Sequence, residues 1–242
     1  MANNILKIGA LVNYFNDIDM LQMQVESGQF DEYTQIYIVD GPYAFTEALG
    51  LLSSEPAPRL DQTDFGRALL ENRKYTYVYK VWPDEAAKRI FGYELINEDL
   101  VVLHDTDEFY EDFSSELLAF NKSEYGVATF YCQNLYLDGV YISAPFYSTN
   151  KINALPHKAF AFKKSVIKAE DHLNYLWLVG VRQTTPNKAL IKNTPICHGY
   201  HFTGMRSHEG QKQKLLFYTS LHETQNTNNS TLLLRSKLVK EI

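Results

Sequence analysis

Apolar residues alternate between two rhythms along the first hundred positions. Residues 6–12 (LKIGALV) form a short apolar run, rich enough in aliphatic side chains to read as a buried strand, and the turn out of it lies at 13–17. Ile18, Leu21 and Val25 then recur at the spacing of one helix face, with Met23 off that face, which predicts an amphipathic helix. Gln35–Asp40 (QIYIVD) reads as a second strand closed by Gly41 and Pro42. Strand, helix and strand in this order make a βαβ opening, and such an opening predicts a parallel sheet.

The same reading continues. Residues 53–64, rich in Ser, Pro and Asp, are expected to form a loop able to act as a flap. Residues 75–80 (YTYVYK) are a third strand. Pro83 and Asp84 open a helix running to about Ile96, with Lys88 and Arg89 on it. A strand over 100–104 follows, so the first half reads β-α-β-loop-β-α-β. In the second half, Ser114 or Ser115 caps a helix through Phe120. Segments 126–136, 141–143, 157–162 and 198–202 have strand character, and 175–179 is short and apolar. Ser207 caps a predicted helix over 208–221. The polar tract 224–231 (TQNTNNST) then leads to an amphipathic terminal helix over 232–242 carrying Arg235, Lys237 and Lys240. No internal repeat and no boundary between two independent domains is visible.

Composition narrows the possibilities. With 45% hydrophobic and 21% charged residues in 242, the chain has an ordinary soluble composition and ample length for a core. A net charge of −6 argues against broad binding to nucleic acid and leaves at most a local patch around Lys212 and Lys214. The 17 tyrosines serve packing first, and some are of the kind that line clefts for planar or sugar rings. Cys132 and Cys197 lack zinc spacing and read as reduced thiols, and the N-terminus shows no leader pattern, so a cytoplasmic chain is expected. No apolar run reaches membrane-spanning length.

The chemistry is expected at residues 101–110 (VVLHDTDEFY). An apolar strand end runs into Asp105, Asp107 and Glu108. In extended chain Asp105 and Asp107 face one spot and Glu108 the other side. Two carboxylates so close repel unless a cation or donors lie between them, and their hard oxygens suit Mg²⁺ or Mn²⁺. An Asp-x-Asp pair by itself is also what a solvated, helix-opening loop looks like. Asp40 likewise ends a strand, either as a turn former before Gly-Pro or as a ligand contact.

Three features together resemble glycosyltransferases of the GT-A fold, related to glycosyltransferase families 2 and 17. They are the N-terminal βαβ with Asp40 ending its second strand, the motif VVLHDTDEFY, and the late segment HGYHFTGMRSHEGQKQKLLFYTSLH. The resemblance covers about residues 6–223. It implies a GT-A-like (Rossmann-like) α/β fold, with a mostly parallel central sheet flanked by helices and a more irregular, β-rich second half. It also implies one catalytic domain over 1–223, with a nucleotide-sugar half at 1–110 and an acceptor half at 111–223, followed by linker and terminal helix at 224–242.

The implied activity is metal-dependent transfer of a sugar from a nucleotide-sugar donor to a glycan or other hydroxyl acceptor, with inversion. Asp107 would ligate Mn²⁺ or Mg²⁺, with His201 as a late metal ligand. Asp105 would contact ribose, or the metal through water, and Asp40 the base or ribose. Arg89 or Lys88 would lie near the nucleotide. The acceptor hydroxyl needs a general base, for which Glu108, Glu170 and Asp171 are candidates, with His172 beside them structural. His104 stands where an apolar residue is usual, Gly-Pro replaces the common acidic-Gly-Ser turn, and the region 135–195 matches nothing nameable. A phosphohydrolase with an Asp-x-Asp nucleophile and a non-catalytic sugar-binding module are the competing readings.

Overall fold

The structure is a computed structural model, which describes residues 6–44, 58–136, 157–175, 188–192 and 194–204. Its centre is β1 (Ile8–Asn13), buried on both faces except at its last residue. Helix α1 (Ile18–Glu26) follows and returns the chain to β2 (Gln35–Asp40). Helix α2 (Asp64–Leu70) leads to β3 (Tyr75–Tyr79), and α3 (Glu85–Leu95) to β4 (Leu100–Asp105). The short strand β5 (Glu108–Tyr110) and α4 (Ser114–Asn121) precede β6 (Val127–Tyr136) and β7 (His157–Lys163). The single turn α5 (Ala169–His172) and β8 (His198–Gly204) complete the described elements.

The eight strands form one sheet in the order β3-β2-β1-β4-β7-β6-β8-β5. β1, β2, β3 and β4 run parallel, as the βαβ pattern predicts, and β8 is parallel to β6. β7 is antiparallel to β4 and β6, and β5 is antiparallel to β8. This is the α/β sheet expected, mostly parallel, with its irregular part in the second half.

Strand periodicity divides the core in two. Ala10, Val12, Ile36, Ile38, Leu100 and Val102 point to one face, where Leu21 of α1 and Leu117 and Phe120 of α4 cover them. Leu11, Tyr37, Val39, Val101 and Leu103 point to the other face, which includes Tyr93 of α3 and Ile167. A central strand covered on both faces reads as a continuous apolar run, which is why β1, β2 and β4 are visible in the sequence.

Three elements depart from expectation: the turn at Leu60–Gln62, the helix α2 and the strand β5. Part of the predicted flap is packed: Leu60–Gln62 form a 3-10 turn, and Leu60 is fully buried. Thr63 caps α2 by accepting from the Gly66 amide at 2.9 Å, and a Cβ at Gly66 would collide with the Leu60 carbonyl, so the glycine lets turn and helix close on each other. Where the sequence predicts only an acidic turn, residues Glu108–Tyr110 form β5, a strand too short at three residues to show a period-two pattern. The predicted strand over 141–143, most of the apolar segment 175–179, and the helices over 208–221 and 232–242 lie outside the described residues. Among the described residues no helix is long and apolar enough to cross a membrane. Cys197 is buried and unbridged, and burial pushes its thiol up to about 12.

Candidate active site

After β1 the chain adds β2 and β3 on one side, then crosses to place β4 on the other side of β1. Neighbouring loops diverge at such a switch point, leaving a crevice at the carboxyl ends of the strands. The register sets out what lines it. Asp105 ends β4 beside Asn13 of β1, Asn13 lies beside Val39 of β2, and the next residue, Asp40, lies beside Tyr79 of β3.

Asp40 is buried, and the protein itself occupies most of its acceptor capacity. One oxygen accepts from the Gly41 amide at 2.5 Å, and the other from the Tyr77 hydroxyl at 2.6 Å and the Leu60 amide at 3.4 Å. Gly41 has φ of +115°, a conformation that L side chains rarely adopt, and this turns the chain sharply beyond Asp40. Burial raises the Asp40 carboxyl above its ordinary 3.8, against the opposing pull of Tyr77 and Lys88. Lys88 is fully buried in α3, and its ammonium donates to the carbonyls of Tyr14 at 2.6 Å and Gly41 at 3.3 Å. Burial lowers it to about 7, although Asp40 works the other way. Lys88 thus pins the exits of β1 and β2 together.

Arg89, one residue on, turns to the other side of the switch. Its guanidinium donates to Glu85 at 2.8 Å and to Asp105 at 2.9 Å. Burial works against its charge, but Asp105 and Glu85 outweigh that and hold it ionised. Arg89 therefore reaches the crevice through Asp105.

The expectation that Asp105 and Asp107 share one direction needs correction. It assumed extended chain, whereas the chain turns at Thr106 and Asp107 before β5 begins. Asp105 pairs with Arg89, while Asp107 is buried and meets His201 Nε2 at 3.2 Å. β8 brings His201 there: Glu108 lies opposite His201 in the β5–β8 ladder, and the Phe202 amide donates to the Asp107 carbonyl at 2.7 Å. Among the described residues no three His, Cys, Asp or Glu side chains are grouped to hold a metal ion. Asp107 and His201 do supply two adjacent donors of suitable chemistry. Mg²⁺ and Mn²⁺ on nucleotides use few protein ligands and leave positions for phosphate oxygens, so this donor pair fits such an ion.

The candidate bases have different surroundings. Glu108 is buried and accepts from the Tyr110 hydroxyl at 2.7 Å. Glu170 and Asp171 are exposed on α5, whose His172 stacks on Tyr93 of α3 at 4.5 Å between centroids. Their place is set by packing on α3 rather than by the acidic turn. His104, before the motif, is fully buried with its Nε2 2.5 Å from the Tyr33 hydroxyl, and burial lowers it to about 3, so it is neutral.

No family model matches the chain, and no curated protein matches it in sequence. Solved structures do match in shape. S. aureus TarS in complex with UDP aligns at a TM-score of 0.50 and 12% identity, covering 98% of this chain and 70% of that one. The chain shares its fold with TarS. A second TarS structure, of residues 1–349, aligns at 0.43 and 10% identity over 97% of this chain and 69% of its own. A longer TarS chain aligns at 0.46 and 12% identity over 98% of this chain, which spans only 42% of its length. The fold class expected from the sequence, a GT-A-like α/β sheet, is the one observed.

Several residues at this edge were not anticipated. Asn13 has a buried Oδ1 that accepts no hydrogen bond among the described residues, at the switch point itself. Gln24, on the buried face of α1, donates to the carbonyls of Asp105 at 3.0 Å and Glu108 at 2.7 Å. Gln29 exchanges two hydrogen bonds with the Tyr110 backbone. The available signal for Gln24 was its position three residues after Leu21, a polar residue on the apolar face of a predicted helix. A cavity of about 850 Å³ lies at the opposite edge, between the amino ends of β1 and β4, lined by Lys7, Glu98, Asp99 and Lys164.

Proposed function

We propose that this chain is a glycosyltransferase that takes a sugar from a nucleotide-sugar, of the uridine diphosphate type, and transfers it to a hydroxyl acceptor with the help of Mn²⁺ or Mg²⁺. The observation that carries the reading is the line of Asp40, the Asp105–Arg89 pair and the Asp107–His201 pair along the carboxyl edge of a switch-point sheet. The fold shared with TarS in complex with UDP supports the choice of nucleotide. Inversion follows from the resemblance to families 2 and 17.

Each residue has a part consistent with its surroundings. Asp40 shapes the base and ribose end by holding Tyr77 and the Leu60 turn. Lys88 keeps the two strand exits at a fixed spacing. Arg89 restrains the Asp105 carboxylate, leaving its outer surface toward the ribose or the cation. Asp107 and His201 would hold the cation. Bound there, the cation offsets the negative charge that develops on the leaving diphosphate. Glu170 and Asp171 are the exposed candidates to take the acceptor proton, since Glu108 is engaged by Tyr110.

The test is calorimetric titration of UDP into the protein with Mn²⁺ and with chelator. Tighter binding with Mn²⁺, and loss of that gain in Asp107→Asn and His201→Ala with the fold retained, is the expected result. Equal binding with and without the cation would remove the metal from the reading, and no UDP binding in either state would remove the donor.

A further inference from the structure

We propose that α1 acts as a splint for the acidic turn, with Gln24 the positioning residue that sets where Asp105 and Asp107 stand. The inference rests on the function proposed above and assigns a role there to a side chain that need not touch substrate.

The sheet order explains why a splint is needed. β4 and β5 are joined by only Thr106 and Asp107, yet they are not neighbours: β7, β6 and β8 lie between them. The two strands therefore do not form a hairpin, and no ladder between them fixes the turn. The turn also lacks the Asn-Gly or Gly-containing pair that shapes a tight connection by itself. Its geometry must come from outside.

The segment from Asp17 to Gln29 supplies it at three places. The Thr106 hydroxyl donates to Asp17 Oδ2 at 2.5 Å, at the start of α1. Both hydrogens of the Gln24 amide are used on carbonyls that bracket the turn, Asp105 and Glu108. Gln29 then holds Tyr110 through its N–H at 2.7 Å and its carbonyl at 3.0 Å.

Gln24 is the centre of this arrangement. It is fully buried, and its Oε1 accepts no hydrogen bond among the described residues. Turning the amide over would set that oxygen against two carbonyls, so the two acceptors dictate its orientation. An unsatisfied acceptor in the interior is unfavourable, and a core position on a helix would ordinarily hold an aliphatic residue. What Gln24 contributes in return is a fixed distance between the carbonyl of Asp105, whose side chain pairs with Arg89, and the carbonyl of Glu108, the neighbour of the Asp107 that meets His201.

The role predicts a specific defect. Partners that orient metal ligands from behind typically change metal affinity by about 10- to 100-fold when removed. Gln24→Met keeps the length of the side chain and removes both donors. UDP titrations of parent and variant, with Mn²⁺ and with chelator, separate the two ends of the nucleotide. The expected result is metal-free UDP affinity within about twofold of parent and a metal-dependent gain reduced by about tenfold or more. Thr106→Val, which loses only the tie to Asp17, gives a smaller reduction of about threefold. It also decides the matter if Gln24→Met does not fold.

A parent with no metal-dependent gain overturns the function proposed above and this role with it. A parent that shows the gain, with variants that keep it in full, overturns this role alone, even if their melting temperatures fall.

Discussion

Arg89 lies where two requirements meet. Its guanidinium is buried between Glu85 and Asp105, whose side chains are 28% and 23% exposed. Removing one partner of a fully buried ion pair costs about 3–5 kcal/mol, and partial solvation of the two carboxylates lowers that to about 1–3 kcal/mol here. Arg89→Met is therefore expected to lose about that much stability in urea denaturation. Adding Asp105→Asn should recover part of the loss, because the charge left without its partner is then gone. Recovery of nothing would show that Arg89 acts through packing of its stem. At this scale the sequence was informative about residue types and silent about pairing. Asp40, Asp105 and Asp107 could be picked out by chemistry and by position at strand ends, whereas Arg89 and His201 entered only through the family resemblance. That Asp107 meets His201 while Asp105 meets Arg89 depends on a turn at Thr106 that a period-two reading cannot contain.

Among elements, α5 shows how a single helical turn is secured. His172 is fully buried, stacks on Tyr93 and meets Phe162 edge-on at 5.9 Å, and its Nδ1 contacts the Ala169 carbonyl. Burial lowers the imidazole from 6.5 to about 3, so it is neutral in the folded chain, whereas the unfolded chain takes up a proton below 6.5. Between those values the unfolded state binds more protons, and stability falls as pH falls. The contribution of this group is expected at about 1.4 kcal/mol per pH unit across the middle of the window. His172→Phe, which keeps the stack, should flatten the pH dependence of the unfolding free energy, measured by urea titration between pH 6 and 4, by about that slope. An unchanged slope would mean that His172 is already charged when folded. Elements were legible where periodicity was long. β2 and the start of α1 appear in the sequence as they do in the structure, and α3 within a residue or two, because each repeats its pattern over a full buried face. α2 was not, since a glycine interrupts its few residues and its capping Thr63 sits at the end of a Ser- and Pro-rich tract.

At the scale of the whole molecule, the sheet joins two kinds of pairing. β1, β2, β3 and β4 come from one continuous stretch, and β7 is the strand that attaches the second half to β4. Among the described residues β5, although it follows β4 in the chain, pairs with β8 alone. Pairings that close long loops form late, because the entropy of closure precedes any gain from contact. Pulse-labelling hydrogen exchange during refolding should therefore protect amides of β1, β2 and β4 before the Phe202 amide, which is held by Asp107. Simultaneous protection would show that β8 docks with the first half as one unit. The parallel half was legible in the sequence because βαβ units announce their own neighbours. The position of β5 was not, since its partner lies far along the chain and three residues carry too little pattern to name it.

The β5–β8 pairing also separates two events in the life of each molecule. The ribosome adds about 5–20 residues per second, so roughly 5 to 20 seconds pass between synthesis of Asp107 and of His201. Throughout that interval a nascent chain carries the Asp107 carboxylate without the imidazole and without the strand that folds over it. Asp40, which ends β2, and Lys88, which joins the exits of β1 and β2, are synthesised long before the Asp107–His201 pair can form. A chain still being made is thus without that pair and, on the function proposed above, would gain the ability to act on a donor only with its last described strand.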